Sequence, residues 1–237
     1  MKIIVINFSG NVGKSTIAHH VLAPRMPGAE VISVETINSE DGQNTPSLRG
    51  TEYRELQEHI QTIDDVIVDV GASNAEDVVR LMKQYSGSHE DFDLFIVPTV
   101  ASSKQQRDTI ATIEALADMG VTANKIKFVF CLVDESDHIE RTFSGLFDYV
   151  KSDKKAVVDA TIKIRRNELF DNLKGSRVTI AELVADTTDY KAAIRDSETS
   201  EQKVGFARKL AFRRLAFGVT EELDGVFNKL LASSYHE

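Results

Sequence analysis

Cysteine occurs once in this 237-residue chain, as Cys131. No disulfide framework can therefore form within it, and no cysteine-only site can hold a metal. Cations are in the minority. The 28 Lys and Arg stand against 37 Asp and Glu, a formal net charge of −9, which argues against a surface that coats nucleic acid and leaves only local basic patches for such contacts. No apolar run approaches the length of a membrane span. The apolar start at 1–7 is too short for a signal peptide and has no cleavage-site pattern behind it, so it reads as a strand and the expected location is cytoplasmic. Internal repeats and low-complexity blocks are also missing. His19, His20 and His89 show no metal-binding spacing with other ligands and read as structural or exposed. What remains is ordinary globular composition, 42% hydrophobic and 27% charged, enough for one sizeable core.

The chemistry is concentrated near the start. MKIIVIN at 1–7 is a continuous apolar run of the kind that forms a strand buried on both faces. Then come Ser9, Gly10, Asn11, Val12, Gly13, Lys14, Ser15 and Thr16, followed by IAHHVLA, which fits the opening of a helix. Strand, small-residue loop, Lys-Ser, helix is the context of a phosphate-binding loop. Glycines allow the backbone to turn its N–H groups inward, and the helix N-terminus adds partial positive charge where a phosphate sits. In that arrangement Lys14 reaches the outer phosphates and the Ser15 hydroxyl ligates Mg²⁺.

Further strands are expected at 30–35, 65–71, 92–98, 125–134 and 156–164, and helices at 52–61, 103–119, 139–150 and 167–173. Ser73 and Glu76 have the spacing of a capping box for a helix after the third strand. Residues 38–50 (NSEDGQNTPSLRG) form a long polar loop next to the phosphate site. Residues 178–183 fit a strand end or a helix start equally. SETSEQ at 197–202 is the best linker candidate, and 203–232 ends the chain as one or two helices. Alternating strands and helices imply an α/β fold, a mostly parallel twisted sheet with helices on both faces. The expected division is a P-loop domain at 1–200 with a helical segment at 203–237 packed on it.

Two carboxylates follow the loop at strand ends, Glu35 and Asp69. Asp69 closes a run of β-formers, where phosphate-loop proteins place the aspartate that holds the Mg²⁺ water shell.

At this point the residues carry a resemblance. The stretch Asn7-Phe8-Ser9-Gly10-Asn11-Val12-Gly13-Lys14-Ser15-Thr16 resembles the deviant Walker A motif of the ParA/MinD-type P-loop ATPases (SIMIBI class), N-x-K-G-G-V-G-K-T-T. Asp69-Val70-Gly71-Ala72-Ser73 is similar to their D-T-P-P-S switch, and DLFIVPT at 93–99 to the strand that follows. Thr161 to Asn167, with Gly175 and Glu182-Leu183, resembles the family's closing motif. The NFSGNVGKST opening and the turn at 71–74 look most like StbB-type plasmid stability proteins. The resemblance spans most of 1–190. It implies binding of ATP with Mg²⁺, a nucleotide-dependent homodimer, and a switch role in plasmid stability, segregation or conjugative transfer through a plasmid-encoded DNA-binding partner. An electron-transfer relative would need two cysteines per subunit, and there is one.

Three departures bear on activity. The family's signature lysine, which reaches the partner subunit's phosphates, falls at Ser9, which has no charge to give. Its second glycine is Asn11, which tolerates positive φ. On the second strand the family's water-positioning aspartate falls at Ile37, leaving Glu35, or Glu40 or Asp41 from the loop, to act. Slow ATP hydrolysis is the expectation, with Lys14, Glu35 and Asp69 as its catalytic candidates, since positioning and charge dominate phosphoryl transfer. At the base end Cys131 replaces an adenine-reading asparagine and reads as a small buried residue, while Asp134 could contact a base edge or start the next helix. ATP is preferred to GTP on the resemblance only.

Residues 203–214 hold five cations and no anion: Lys203, Arg208, Lys209, Arg213 and Arg214, interleaved with Phe206, Leu210 and Phe212. A docked helix with an exposed basic edge comes first, nonspecific DNA contact next. A membrane-surface helix like the MinD tail is weakened because the charges do not share a face. Lys163, Arg165 and Arg166 could line the nucleotide or a partner, or be solvated. A small-molecule kinase or ligase, and a scaffold that holds nucleotide without turnover, are the alternatives.

Overall fold

The runs at 2–5, 66–70 and 94–99 are rich in β-branched and other apolar residues, and apart from the partly exposed Lys2 every residue in them is buried. In a computed structural model, which describes residues 1–34, 50–173 and 178–232, they lie at the centre of a six-stranded sheet. The strands are β1 (Lys2–Val5), β2 (Glu30–Val34), β3 (Val66–Val70), β4 (Leu94–Thr99), β5 (Ile126–Val133) and β6 (Lys163–Arg165). Their order is β2-β3-β1-β4-β5-β6 and every pairing is parallel. Parallel pairing requires crossovers, and the helices α1 (Lys14–Thr16), α2 (Gly50–Gln61), α3 (Ala72–Gln84), α4 (Ser103–Met119), α5 (Ile139–Thr142) and α6 (Ser144–Asp153) lie around the sheet. The expected α/β architecture is the observed one.

The core is apolar and dense in aromatics. Phe130 stacks with Phe147 and packs against Phe143 at a centroid separation of 4.6 Å, so β5 and α6 are joined by rings that bury large areas. Gly120 closes α4 in the left-handed conformation, φ 108°, as its position after the helical run predicts.

Several expected elements differ. The helix at 139–150 is broken into α5 and α6 at Phe143. The strand expected at 156–164 shrinks to β6 plus one isolated bridge between Val157 and Lys127, because this segment bonds the sheet only intermittently. The capping box at Ser73 is not made. Gly71 is the N-cap of α3, with no side-chain cap, and Asn74 donates its N–H to the Gly71 carbonyl. The box forms later instead. Thr179 and Glu182 cap α8 (Ile180–Ala185) reciprocally, so the ambiguous 178–183 segment starts a helix.

The chain divides into two units, residues 1–166 with 226–232, and residues 167–225. The second contains α7 (Glu168–Leu173), α8, α9 (Tyr190–Asp196) and most of α10 (Ser200–Ala232), a single 33-residue helix rather than two. SETSEQ is therefore no linker, since its last three residues are helical. Inside this unit Arg213 Nη1 donates to the carbonyls of Asp186 at 2.8 Å and Thr188 at 2.7 Å, and its guanidinium lies 4.9 Å from the Tyr190 ring centre. Arg213 is thus a clamp for the α8–α9 connection and not a free surface cation; Lys203, Arg208, Lys209 and Arg214 are exposed. In the first unit, buried Lys127 of β5 donates to the Leu230 carbonyl in the last turn of α10. Among the described residues no helix is long and apolar enough to cross a membrane.

Candidate nucleotide-binding site

The loop after β1 leaves the carboxyl end of a central strand, with β3 on one side and β4 on the other, the place where open α/β sheets bind ligands. Its turn is made by two left-handed residues, Asn11 at φ 55° and Gly13 at φ 98°. Asn11 takes this conformation as its short amide side chain allows. Gly13 is required twice over. Its φ is strained for any side chain, and a Cβ there would stand 2.9 Å from Cys131 Sγ. Cys131 is therefore the floor under the loop; burial pushes its thiol up to about 12.

The helix begins within the motif, at Lys14, with Ile17 N–H bonded to the Gly13 carbonyl. Its next turns, Ile17–Leu22, are wound as π-helix. Ser15 is exposed at this N-terminus. Lys14 is buried and arches over the loop, donating to the carbonyls of Ser9 at 2.7 Å and Asn7 at 3.2 Å. Desolvation pulls its pKa down to about 8, against the opposing pull of the Asp69 carboxylate. Asp69 is buried near the end of β3, in register with Val5 and Ser33. The two charged residues that the sequence singled out thus feel each other between the start of α1 and the end of β3.

A second layer of the site was not anticipated. Asn7 Nδ2 donates to the Pro98 carbonyl and to Thr109 Oγ1, both at 2.8 Å, and Thr109 Oγ1 lies 3.0 Å from Thr99 Oγ1. Phe8 N–H donates to Thr112 Oγ1 at 3.0 Å, and Ser9 N–H donates to Asn7 Oδ1 at 2.7 Å. The Ser9 hydroxyl donates to Asp108 Oδ2 at 2.9 Å, and the same oxygen accepts from Lys104 Nζ at 2.7 Å. One face of α4 thereby fixes residues 7–9. The only signal in the sequence was the pair Thr109 and Thr112, polar residues at helical spacing on a side that is otherwise apolar.

Just past the carboxyl end of β5, Asp134 and Arg166 form an ion pair at 3.0 Å, each roughly half exposed. The Asp134 N–H donates to Asp137 at 2.8 Å. Asp134 is therefore tied to a cation just past the end of β6. Leu132, just before, is exposed and left-handed at φ 54°. Glu35, Ile37, Glu40 and Asp41 lie outside the described residues.

The donor set suits a polyphosphate with a hard cation. Ser15 offers a hydroxyl and Asp69 a carboxylate, oxygen ligands of the kind Mg²⁺ takes alongside phosphate oxygens. Among the described residues there is no group of three or more His, Cys, Asp or Glu that could hold a metal ion. Above Cys131 the loop has no room for a side chain at residue 13.

Sheet order, loop and helix start together define an α/β fold of the P-loop type. The chain's structure is similar to that of the MinD cell division protein of Aquifex aeolicus, with a TM-score of 0.51 at 14% identity over 89% of this chain and 96% of that one. It is also similar to apo McdA of Cyanthece, with a TM-score of 0.50 at 12% identity over 88% of this chain and 98% of that one. At such identities the likeness is one of fold. No family model matches the sequence, and no curated protein matches it.

Proposed function

We propose that this chain is a ParA-like nucleotide switch that binds ATP with Mg²⁺ and hydrolyses it slowly. The observation that carries the reading is the buried Lys14 ammonium, held at the mouth of a left-handed Asn11–Gly13 loop with the Asp69 carboxylate in electrostatic reach. Such a lysine is poorly solvated, and a polyphosphate supplies the counter-charge that the loop carbonyls only partly replace. Residues 10–15 bind phosphate through backbone N–H groups and Lys14. Ser15 and Asp69 would hold Mg²⁺, which supplies charge neutralisation of the outer phosphates. Residues 134 and 166 face the base.

The role we infer is in plasmid stability, segregation or conjugative transfer, with a DNA-binding partner encoded on the same plasmid and a nucleotide-dependent homodimer. The closeness of the 7–16 motif to the StbB type supports it. Lys203, Arg208, Lys209 and Arg214 provide a local basic patch for nonspecific DNA contact. The structure's neutral Ser9 at the loop entrance supports slow rather than fast turnover, because a cation there would stabilise transition-state charge.

Calorimetric titration with ATP and Mg²⁺, followed by phosphate-release kinetics without and with DNA and partner, tests this. Stoichiometric binding with slow basal release that partner or DNA accelerates is the expected result. Absence of nucleotide binding, or rapid partner-independent hydrolysis, overturns it.

A further inference from the structure

The first turn of α4 holds Lys104 and no acidic residue, which is the wrong sign for a helix start. A cation there opposes the macrodipole. Lys104 is also largely exposed, with 74% of its side chain open. Solvation alone does not explain its place, because its ammonium is held at 2.7 Å on the one carboxylate oxygen of Asp108 that also receives the Ser9 hydroxyl. Those two contacts, Lys104 first, hold the Asp108 carboxyl below its ordinary range. Nearby, Gln105 Nε2 approaches the Gly10 carbonyl at 3.5 Å. The helix start therefore abuts the phosphate loop from 9 to 10, and its lysine is parked on an acid beside that loop.

We propose that Lys104 is a second phosphate-binding cation of the site, parked on Asp108 in the ligand-free chain and transferred to the outer phosphates of a bound nucleoside triphosphate. This rests on the nucleotide-binding reading above. Three physical points carry it. Lys14 is consumed in part by the Ser9 and Asn7 carbonyls, and a triphosphate brings several negative charges to a loop with a neutral residue at position 9. The lysine stem is flexible, so the ammonium can leave one oxygen anion for another nearby without moving the helix. An anion at the loop also removes the electrostatic penalty that Lys104 imposes on the α4 N-terminus. Asp108 then has two roles: it orients Ser9, and it competes with phosphate for the ammonium.

The test compares wild type, Lys104→Gln, Asp108→Asn and the remote control Lys151→Gln in calorimetric titrations with ATP, ADP and AMP in Mg²⁺ buffer at low and high salt. Lys104→Gln should weaken ATP binding about tenfold, the worth of one charge-assisted contact. It should change AMP binding far less, and it should flatten the salt dependence for ATP. Asp108→Asn, which keeps an acceptor for Ser9, should bind ATP at least as tightly as wild type. Lys151→Gln should match wild type throughout. Equal ATP affinity in Lys104→Gln and wild type overturns the proposal, and so does an equal loss for ATP and AMP, which would mark a structural role. A loss in Asp108→Asn as large as that in Lys104→Gln overturns it too. Failure of wild type to bind any of the three nucleotides sinks the nucleotide-binding reading itself.

Discussion

Cys131 lies directly under Gly13, so close that a single methyl group added at residue 13 would stand 2.9 Å from Sγ and 3.3 Å from Cβ of the cysteine. The start of α1 and the end of β5 meet here through atoms that leave no slack. Gly13→Ala should therefore abolish nucleotide binding and lower stability by about 2 kcal/mol, from left-handed strain plus overlap. Adding Cys131→Ala should restore part of the stability, since Sγ is removed, while the strain at φ 98° persists. Thermal melts of the single and double variants check this. Full recovery of stability in the double variant would refute the strain component.

Lys14 offers a pH signature. Its folded value of about 8 lies below the unfolded 10.5. Between those two values the unfolded chain binds more protons than the folded one, so stability rises with pH across that window. Below about pH 8 the full cost of the buried charge is present. Lys14→Met should accordingly stabilise the ligand-free protein by about 2 kcal/mol at pH 7, with the difference shrinking toward pH 10.5, and should remove nucleotide binding. Denaturant titrations at pH 7 and 10 read the difference; a gap that widens with pH would contradict it.

Lys127 is buried in β5, desolvation lowers its pKa, and its ammonium caps the Leu230 carbonyl of α10. Truncation by Lys127→Ala leaves a cavity and removes a charged donor from a helix-end carbonyl, at a cost of about 2–4 kcal/mol. Amide hydrogen exchange in residues 226–232 should accelerate well ahead of exchange in β1 and β4. Uniform acceleration everywhere would mean that the contact stabilises the sheet and not the helix end.

Arg213 separates structure from partner binding within the basic stretch. Its donors serve the Asp186 and Thr188 carbonyls. Arg213→Gln should destabilise the α8–α9 connection by about 1–2 kcal/mol and leave the salt slope of DNA binding unchanged. Arg208→Gln with Lys209→Gln should do the reverse, weakening DNA binding with a reduced salt slope and little change in melting temperature. Fluorescence anisotropy with a random duplex at several salt concentrations gives the comparison.

The parts of this fold that were legible in the sequence share one property: their signals are local. Unbroken apolar runs gave β1, β3, β4 and β5; the left-handed tolerance of Asn11 and the glycine at 13 gave the loop; Gly120 gave the end of α4. Errors came where tertiary context decides. Ser73 and Glu76 have capping-box spacing, yet the helix starts earlier on Gly71 because the chain leaves β3 there. Residues 156–162 have β-forming side chains but bond β5 only at their two ends, where Val157 N–H donates to the Ile126 carbonyl and the Ile162 carbonyl accepts from Phe130 N–H. Arg213 reads in the sequence as one of five cations of a basic stretch, and the carbonyls it serves lie 25 and 27 residues away. The Ser9–Asp108 contact spans 99 residues of chain, beyond the reach of any periodicity or motif. The acidic candidates at 35, 40 and 41 fall outside the described residues, so the water-positioning group is an expectation from the sequence.

The bonds that run from Asn7, Phe8 and Ser9 to Thr109, Thr112 and Asp108 have a mechanical meaning. They rivet the loop entrance to a rod of 17 residues. A displacement of residues 7–9 would load α4 along the one face that carries Asp108, Thr109 and Thr112, so the loop entrance and this helix behave as a single mechanical part.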